Sequence, residues 1–242
     1  MQRIVVLNPK GGSGKTTLAT NLASYFACRG DKTVLMDYDS QGSSTFWVGQ
    51  RAAQHPPVQV ISAYKQPLGV TRSWFLRVPP QTQTLVIDTP AALDFGGYQR
   101  VLQEAASIVI PVLPADIDIH AAANCIADLL TTTKISREDG RIAVIANRAR
   151  KNTLVYQRLA YFLNSLRIPF LTTLRDSQNY INAAAHGLGI FDMPEPQVQD
   201  DLTAWQPLLS WLNRRELIEQ QLQRESGMAR SAPALQQNRF KF

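Results

Sequence analysis

Residues 8–23 read NPKGGSGKTTLATNLA, a run whose residue types together can hold a phosphate. Gly11, Gly12, Ser13 and Gly14 can turn successive backbone N–H groups inward around anionic oxygens, since glycine reaches the necessary conformations without steric cost. Lys15 adds a charge able to reach terminal phosphate oxygens, Thr16 offers a hydroxyl to Mg²⁺, and Thr17 follows it. An apolar run at residues 4–7 leads into the loop and helical spacing leads out of it. The anion would therefore rest at a helix N-terminus, where the dipole favours negative charge. One position departs from the ordinary GxxxxGK[ST] pattern: Pro9 stands where the first glycine belongs, and an extra lysine, Lys10, comes next. Proline fits there only if its fixed φ suits the loop.

Carboxylates should complete such a site. Residues 84–90, TLVIDTP, form an apolar strand ending in Asp88, the position at which a Walker B carboxylate holds Mg²⁺ through its water shell. Residues 35–43, LMDYDSQGS, bring Asp37 and Asp39 to another strand end, and strand alternation puts the two on one side. One can touch the metal shell while the other orients an attacking water.

The elements that must position these residues alternate along the chain. Residues 3–8, 33–37, 84–88, 107–113, 141–147 and 169–173 read as strands, nearly all-apolar, as when both faces of a parallel sheet are covered. Residues 15–29, 97–106, 117–131, 153–167 and 177–185 carry helical spacing. Repeated strand–helix units predict an α/β fold, a doubly wound and mostly parallel sheet flanked by helices, with its site at the carboxyl ends of the strands. Residues 58–80 have room for one or two further strands. A last helix is expected over 202–223, making 1–223 a single domain. Residues 224–242 form a tail whose stretch SGMARSAPALQQNRFKF has three basic residues and no acidic one: a solvated end or a contact segment.

The bulk numbers exclude other classes. The chain has 242 residues and a formal charge of +6, with no apolar run long enough to span a bilayer and no secretory pattern at its start. The two cysteines, Cys28 and Cys125, lie in apolar helix-like stretches and read as buried free thiols in a cytoplasmic protein.

Taken together, residues 10–17, 37–43 and 88–90 resemble the ParA/MinD family of deviant-Walker ATPases, and residues 171–187 resemble that family's late strand–loop–helix. The resemblance reaches to about residue 200. It implies a P-loop ATPase using ATP and Mg²⁺, in which Lys10 crosses to the partner subunit's nucleotide in an ATP-bound homodimer. It also implies that Asp39 positions the hydrolytic water, that Asp88 belongs to the metal shell, and that the Asn147 amide reads adenine. Two positions depart from the family: Ser40 stands where many relatives have proline, and Asn182 where glutamate is frequent.

The family divides by the surface its dimer rides on. The membrane branch ends in an amphipathic helix, and residues 236–242 offer too short and too weakly apolar a segment for one. Nonspecific DNA is the expected surface, with Arg148, Arg150, Lys151, Arg158 and Arg175 as contacts. The last of these falls where relatives carry a DNA-contacting arginine. The implied role is a nucleoid-associated ATPase that positions or segregates a cargo, released when an adaptor protein (ParB-like or McdB-like) stimulates hydrolysis. The short form is similar to relatives that place protein assemblies, including the McdA proteins that distribute carboxysomes. A MinD-like membrane regulator, or a metabolic or cofactor-assembly ATPase sharing the loop, is the alternative. An iron-protein type is disfavoured, because Cys28 and Cys125 do not follow the switch segments.

Overall fold

The computed structural model describes residues 1–65, 78–149, 154–165 and 168–231. Seven strands form one sheet: β1 (Gln2–Val6), β2 (Thr33–Asp37), β3 (Val58–Ser62), β4 (Thr84–Asp88), β5 (Ser107–Val112), β6 (Ile142–Ala146) and β7 (Phe170–Thr173). Their order is β3-β2-β4-β1-β5-β6-β7, and every pairing is parallel. Helices α1 (Lys15–Cys28), α2 (Ser43–Gln50), α3 (Phe95–Gln103), α4 (Asp116–Thr133), α5 (Leu154–Ser165), α6 (Gln178–Ala184) and α7 (Glu195–Ser231) connect or cover the strands.

The all-apolar strands have the expected cause. Ile4 and Val6 of β1 join the core that contains Leu18, Leu22 and Phe26 of α1 and Trp205, Leu208 and Leu212 of α7. Val5 of β1 and the following Leu7 join the opposite core, with Leu102 of α3 and Ile126 and Leu129 of α4. Alternate side chains thus enter two separate cores, and neither face of the strand can be polar.

Several boundaries shift, each for a local reason. β1 stops at Val6, before the expected Asn8, because Asn8 turns the chain into the loop: its Nδ2 donates to the Pro111 carbonyl at 2.6 Å and its Oδ1 accepts the Lys10 N–H at 2.8 Å. Helix α3 starts at Phe95 because Asp94 caps it, accepting from the N–H groups of Gly96 and Gly97 at 3.1 and 3.0 Å. Within residues 58–80 the structure has the edge strand β3, and residues 66–77 lie outside the described residues. Helix α2 was not expected from the sequence. Helix α7 begins at Glu195, not 202, and runs to Ser231, past the expected start of the tail at 224; residues 232–242 are outside the description. It also passes through Pro207. Proline removes one helical hydrogen bond, yet buried Trp205, Leu208, Leu209 and Leu212 on both sides hold the helix against the sheet.

The cysteine expectation is half corrected. Cys125 is buried, but Cys28 is exposed at the end of α1. Its Sγ donates to Asp192 Oδ1 at 3.3 Å, and partial loss of water around the sulfur, together with the Asp192 charge, pushes the thiol up to about 11. No described helix is long and apolar enough to cross a membrane.

Candidate functional site

The pairing register sets the floor of the site. Val6, Asp88 and Asp37 are level with one another in the adjacent strands β1, β4 and β2, so the phosphate loop leaving β1 arises beside two carboxylates. The loop turns at Gly12 and Gly14, with φ of 76° and 90°, values that disfavour any side chain. A Cβ on Gly11 or Gly12 would project into open space, whereas one on Gly14 would strike the Asn147 amide. The loop is therefore open on the side where a phosphate would sit and braced on the other. Gly14 is the N-cap of α1, which aims the helix N-terminus at that opening.

Lys15 is buried at the loop base, its Nζ donating to the Lys10 carbonyl at 3.1 Å. Burial lowers its pKa, opposed by Asp88 and Asp39. Both Thr16 Oγ1 (2.8 Å) and Ser44 Oγ (2.6 Å) donate to Asp88 Oδ2. Asp88 Oδ1 is buried without a donor among the described residues. Burial raises the Asp88 carboxyl to about 6, against the two hydroxyls, while Asp37 adds to the rise. A buried carboxylate with one open oxygen, beside a threonine hydroxyl and beneath a glycine loop, fits hydrated Mg²⁺ and the terminal phosphates of a nucleotide. Thr16 and Asp88 would hold the metal, and the loop N–H groups with Lys15 would hold the phosphates; the metal would neutralise phosphate charge.

Asp37 is placed differently from its expected metal role. Its Oδ1 accepts the Asp39 N–H at 3.1 Å, and its Oδ2 accepts both the N–H and the hydroxyl of Thr45 at 2.9 Å. It is fully buried. Level with Asp88 in the neighbouring strand, Asp37 takes its hydrogen bonds from Asp39 and from the start of α2. Asp37 thus anchors the start of that helix and leaves Asp88 as the carboxylate with an open oxygen. Asp39 lies half-buried in the loop between β2 and α2, its Oδ1 accepting the Gln41 N–H at 3.0 Å.

Asn147, expected to read the base, lines a cavity beside the loop. Its Nδ2 donates to the Ser13 carbonyl at 2.8 Å. Beside it opens a cavity of about 240 Å³ lined by Gly14, Thr17, Asn147, Leu174, Arg175 and Tyr180, among others. Its far wall ties α6 to α7: Trp205 Nε1 donates to the Tyr180 hydroxyl at 2.8 Å, and buried Asp201 receives Arg175 at 2.6 Å, Ser177 at 3.0 Å and Asn179 at 2.7 Å. A nucleoside entering this cavity would reach its phosphates into the loop. Asn182 faces solvent on α6 and does not line the cavity.

The expected basic residues divide. Arg148 (φ 49°) and Arg175 both line the cavity. Arg148 lies 3.7 Å from Asp176, and Arg175 also pairs with Asp200 at 3.2 Å. Arg158 stands apart on α5, paired with Asp116 at 3.2 Å. Arg150 and Lys151 fall outside the described residues. The Lys10 side chain lies 3.9 Å from Asp118 at the start of α4.

Sequence reasoning missed Ser44 and Thr45, although Gly42-Ser43-Ser44 after an acidic pair is a helix-start signal. It also missed Asp118, Tyr180, Asp201 and Trp205, whose partners are remote in sequence and which carry no local signal.

A phosphate loop on a parallel, doubly wound sheet, with a hydroxyl-bound carboxylate on the next strand, defines a P-loop nucleotide-binding protein. The chain belongs to the CobQ/CobB/MinD/ParA nucleotide-binding domain family, whose pattern matches residues 4–190. Among curated relatives, it is 28% identical over 193 residues to the maintenance of carboxysome distribution protein A of Halothiobacillus neapolitanus, covering 78% of this chain and 87% of that one. Two solved structures share the fold. A plasmid partition protein from Borrelia burgdorferi bound to AMPPNP has a TM-score of 0.67 at 17% identity, over 86% of this chain and 98% of that one. A variant of McdA from Cyanothece in complex with ATP has a TM-score of 0.64 at 15% identity, over 86% and 96%.

Proposed function

We propose that the chain is an ATP-hydrolysing positioning protein. With Mg-ATP bound, two copies close face to face over their nucleotides, the dimer holds nucleoid DNA without reading its sequence, and an adaptor triggers hydrolysis and release. The observation that carries this reading is the arrangement of the two lysines. Lys15 serves its own loop from within, while the Lys10 side chain meets, among the described residues, Asp118 at the long distance of 3.9 Å. A second cation so placed can meet a phosphate brought by another copy. The γ-phosphate would then be part of the contact, and its loss would loosen the pair. Asp39, in the loop beside the phosphate site, is the group that positions the attacking water.

DNA contact falls to Arg148 and Arg175, with Arg150 and Lys151 following Arg148 in the sequence; phosphate neutralisation suffices, and doubling the contacts on dimerisation makes binding depend on ATP. The cargo is a large protein assembly of the carboxysome kind, supported by the H. neapolitanus relative, with a plasmid or chromosome as the other choice.

The test is retention on random-sequence DNA with ATP, followed for the wild type, Lys10→Ala and Asp39→Ala. Lys10→Ala should neither dimerise nor stay on DNA. Asp39→Ala should dimerise, bind DNA and remain there, because turnover is blocked. Wild-type behaviour by both variants would defeat the proposal.

A further inference from the structure

We propose that Arg51 and Asp192, a buried ion pair outside the nucleotide site, position the loop that carries Asp39 by fixing the far end of α2. Helix α2 has eight residues, of which Ser44 and Trp47 are buried, and its N-cap Gly42 supplies no side-chain bond. A helix so short does not hold itself, so its place is set by what grips its two ends. At the start, Ser44 donates to Asp88 and Thr45 donates to Asp37. At the other end, about 12 Å away, stands Arg51. Its Nη2 donates to Asp192 Oδ1 at 2.7 Å and its Nη1 to Asp192 Oδ2 at 2.8 Å. Nη1 also reaches the Gly187 carbonyl at 3.0 Å, and Nε the Pro56 carbonyl at 2.8 Å. The two side chains are 4% and 0% exposed. One turn earlier, Trp47 Nε1 donates to the Leu188 carbonyl at 3.1 Å. Gly187, with φ of 66°, lets the chain pass so close that a Cβ there would strike the Arg51 backbone.

The segment that receives Arg51 is tied in turn to α1. Asp192 accepts the Ser24 hydroxyl at 2.7 Å, and the Ile190 N–H donates to Asn21 Oδ1 at 2.8 Å. Helix α1 starts from the phosphate loop and carries Thr16, which donates to Asp88. The contacts therefore close a ring from Asp88 through Thr16, α1, Asp192 and α2 back to Asp88. Such a ring fixes the start of α2 relative to the phosphate loop, and Asp39 lies between β2 and that start. Burial works against the Asp192 charge, yet Arg51 and Ser24 hold its carboxyl below the usual range, so the pair is ionised. A buried pair can serve the fold alone. This one has a second consequence, because a planar two-pronged contact sets a direction as well as a distance.

This inference rests on the role proposed above for Asp39, and two measurements keep them apart. Hydrogen exchange is followed without nucleotide or Mg²⁺ in Arg51→Lys, which keeps the charge and loses the two-pronged contact. The Asp39 and Thr45 amides, both bonded to Asp37, should exchange about tenfold faster or more. The Leu18 amide, bonded to the Gly14 carbonyl at the start of α1, should keep its rate. Faster exchange at all three would mean a general loss of stability, and unchanged exchange at Asp39 and Thr45 a pair that serves only the fold. Either result overturns the inference. In the same variant, ATP turnover should fall about tenfold or more while nucleotide affinity stays within about twofold, the split expected of a misplaced loop. Weakened affinity with turnover retained also overturns it. Trp47→Phe, which keeps the packing and loses the bond to Leu188, supplies the test if Arg51→Lys does not fold; the same two amides should exchange about fivefold faster. A wild type that does not hydrolyse ATP defeats the function proposed above, and the exchange rates then still support or overturn the positioning of the loop.

Discussion

At Asp88 the donors are unevenly shared: Thr16 and Ser44 both serve Oδ2, while buried Oδ1 has none among the described residues. The cost appears as a carboxyl raised to about 6 by burial, against an ordinary value near 3.9 in an unfolded chain. The native protein therefore binds this proton more tightly than the unfolded one. Its contribution to stability is greatest below about pH 4, declines as pH rises to about 6, and is flat above, a change of about 3 kcal/mol. Asp88→Asn should remove this decline, seen as a smaller difference in denaturation midpoint between pH 5 and pH 8 without Mg²⁺; an unchanged difference would locate the slope elsewhere. The same variant should lose Mg-dependent ATP hydrolysis. At Asn147, the amide hydrogen bond to Ser13 braces the loop. Asn147→Ala should weaken nucleotide binding by about tenfold, the worth of one buried hydrogen bond. Asn147→Asp should weaken it further, because a carboxylate would face a carbonyl oxygen near the phosphates. Titration with a fluorescent nucleotide gives the order, and equal losses would remove the bracing role.

At the scale of elements, α2 is a short helix held at its start by two carboxylates from neighbouring strands: Ser44 on Asp88 and Thr45 on Asp37. The loop bearing Asp39 is thus stretched between β2 and a clamped helix end. Asp37→Ala releases Thr45 and the Asp39 N–H together. Hydrolysis should fall by about tenfold or more, the scale of lost positioning contacts around a metal site, while nucleotide affinity changes little. A fall in affinity without loss of turnover would reverse the assignment. On the opposite wall, the Tyr180 hydroxyl is the acceptor for the indole N–H of fully buried Trp205. Tyr180→Phe leaves that donor unpaired and should cost about 1–3 kcal/mol in chemical denaturation. No loss would mean that α6 and α7 are held by packing alone.

For the whole molecule, the charge of +6 is a blunt quantity, because Arg148, Arg158 and Arg175 each stand near a carboxylate. The exposed contacts of Arg148 to Asp176 and of Arg175 to Asp200 are weak and can be exchanged for DNA phosphates, whereas the Arg175–Asp201 pair has a buried partner. If each copy neutralises about three phosphates, log affinity against log salt should slope near −5 for the dimer and roughly −2.7 for one copy. Measuring DNA retention from 50 to 200 mM salt, with and without an ATP analogue, tests this; equal slopes in both states would mean that the dimer adds no contacts.

How much was legible in the sequence follows from the range of the forces involved. Strand and helix identities, and the placing of the phosphate loop between β1 and α1, depend on apolar periodicity and glycine backbone freedom, which neighbouring residues express by themselves. The same local logic marked Asp88 as the end of a buried strand. It could not tell Asp37 from Asp88, since both are carboxylates closing apolar strands; the difference arises because Thr45 reaches one while Ser44 and Thr16 reach the other. Nor could it foresee α7 running through Pro207, Cys28 lying exposed beside Asp192, or Arg175 being held by Asp201. Those outcomes are hydrogen bonds and packing between residues far apart in the chain, and only the folded arrangement of the sheet and its helices decides which of them can form.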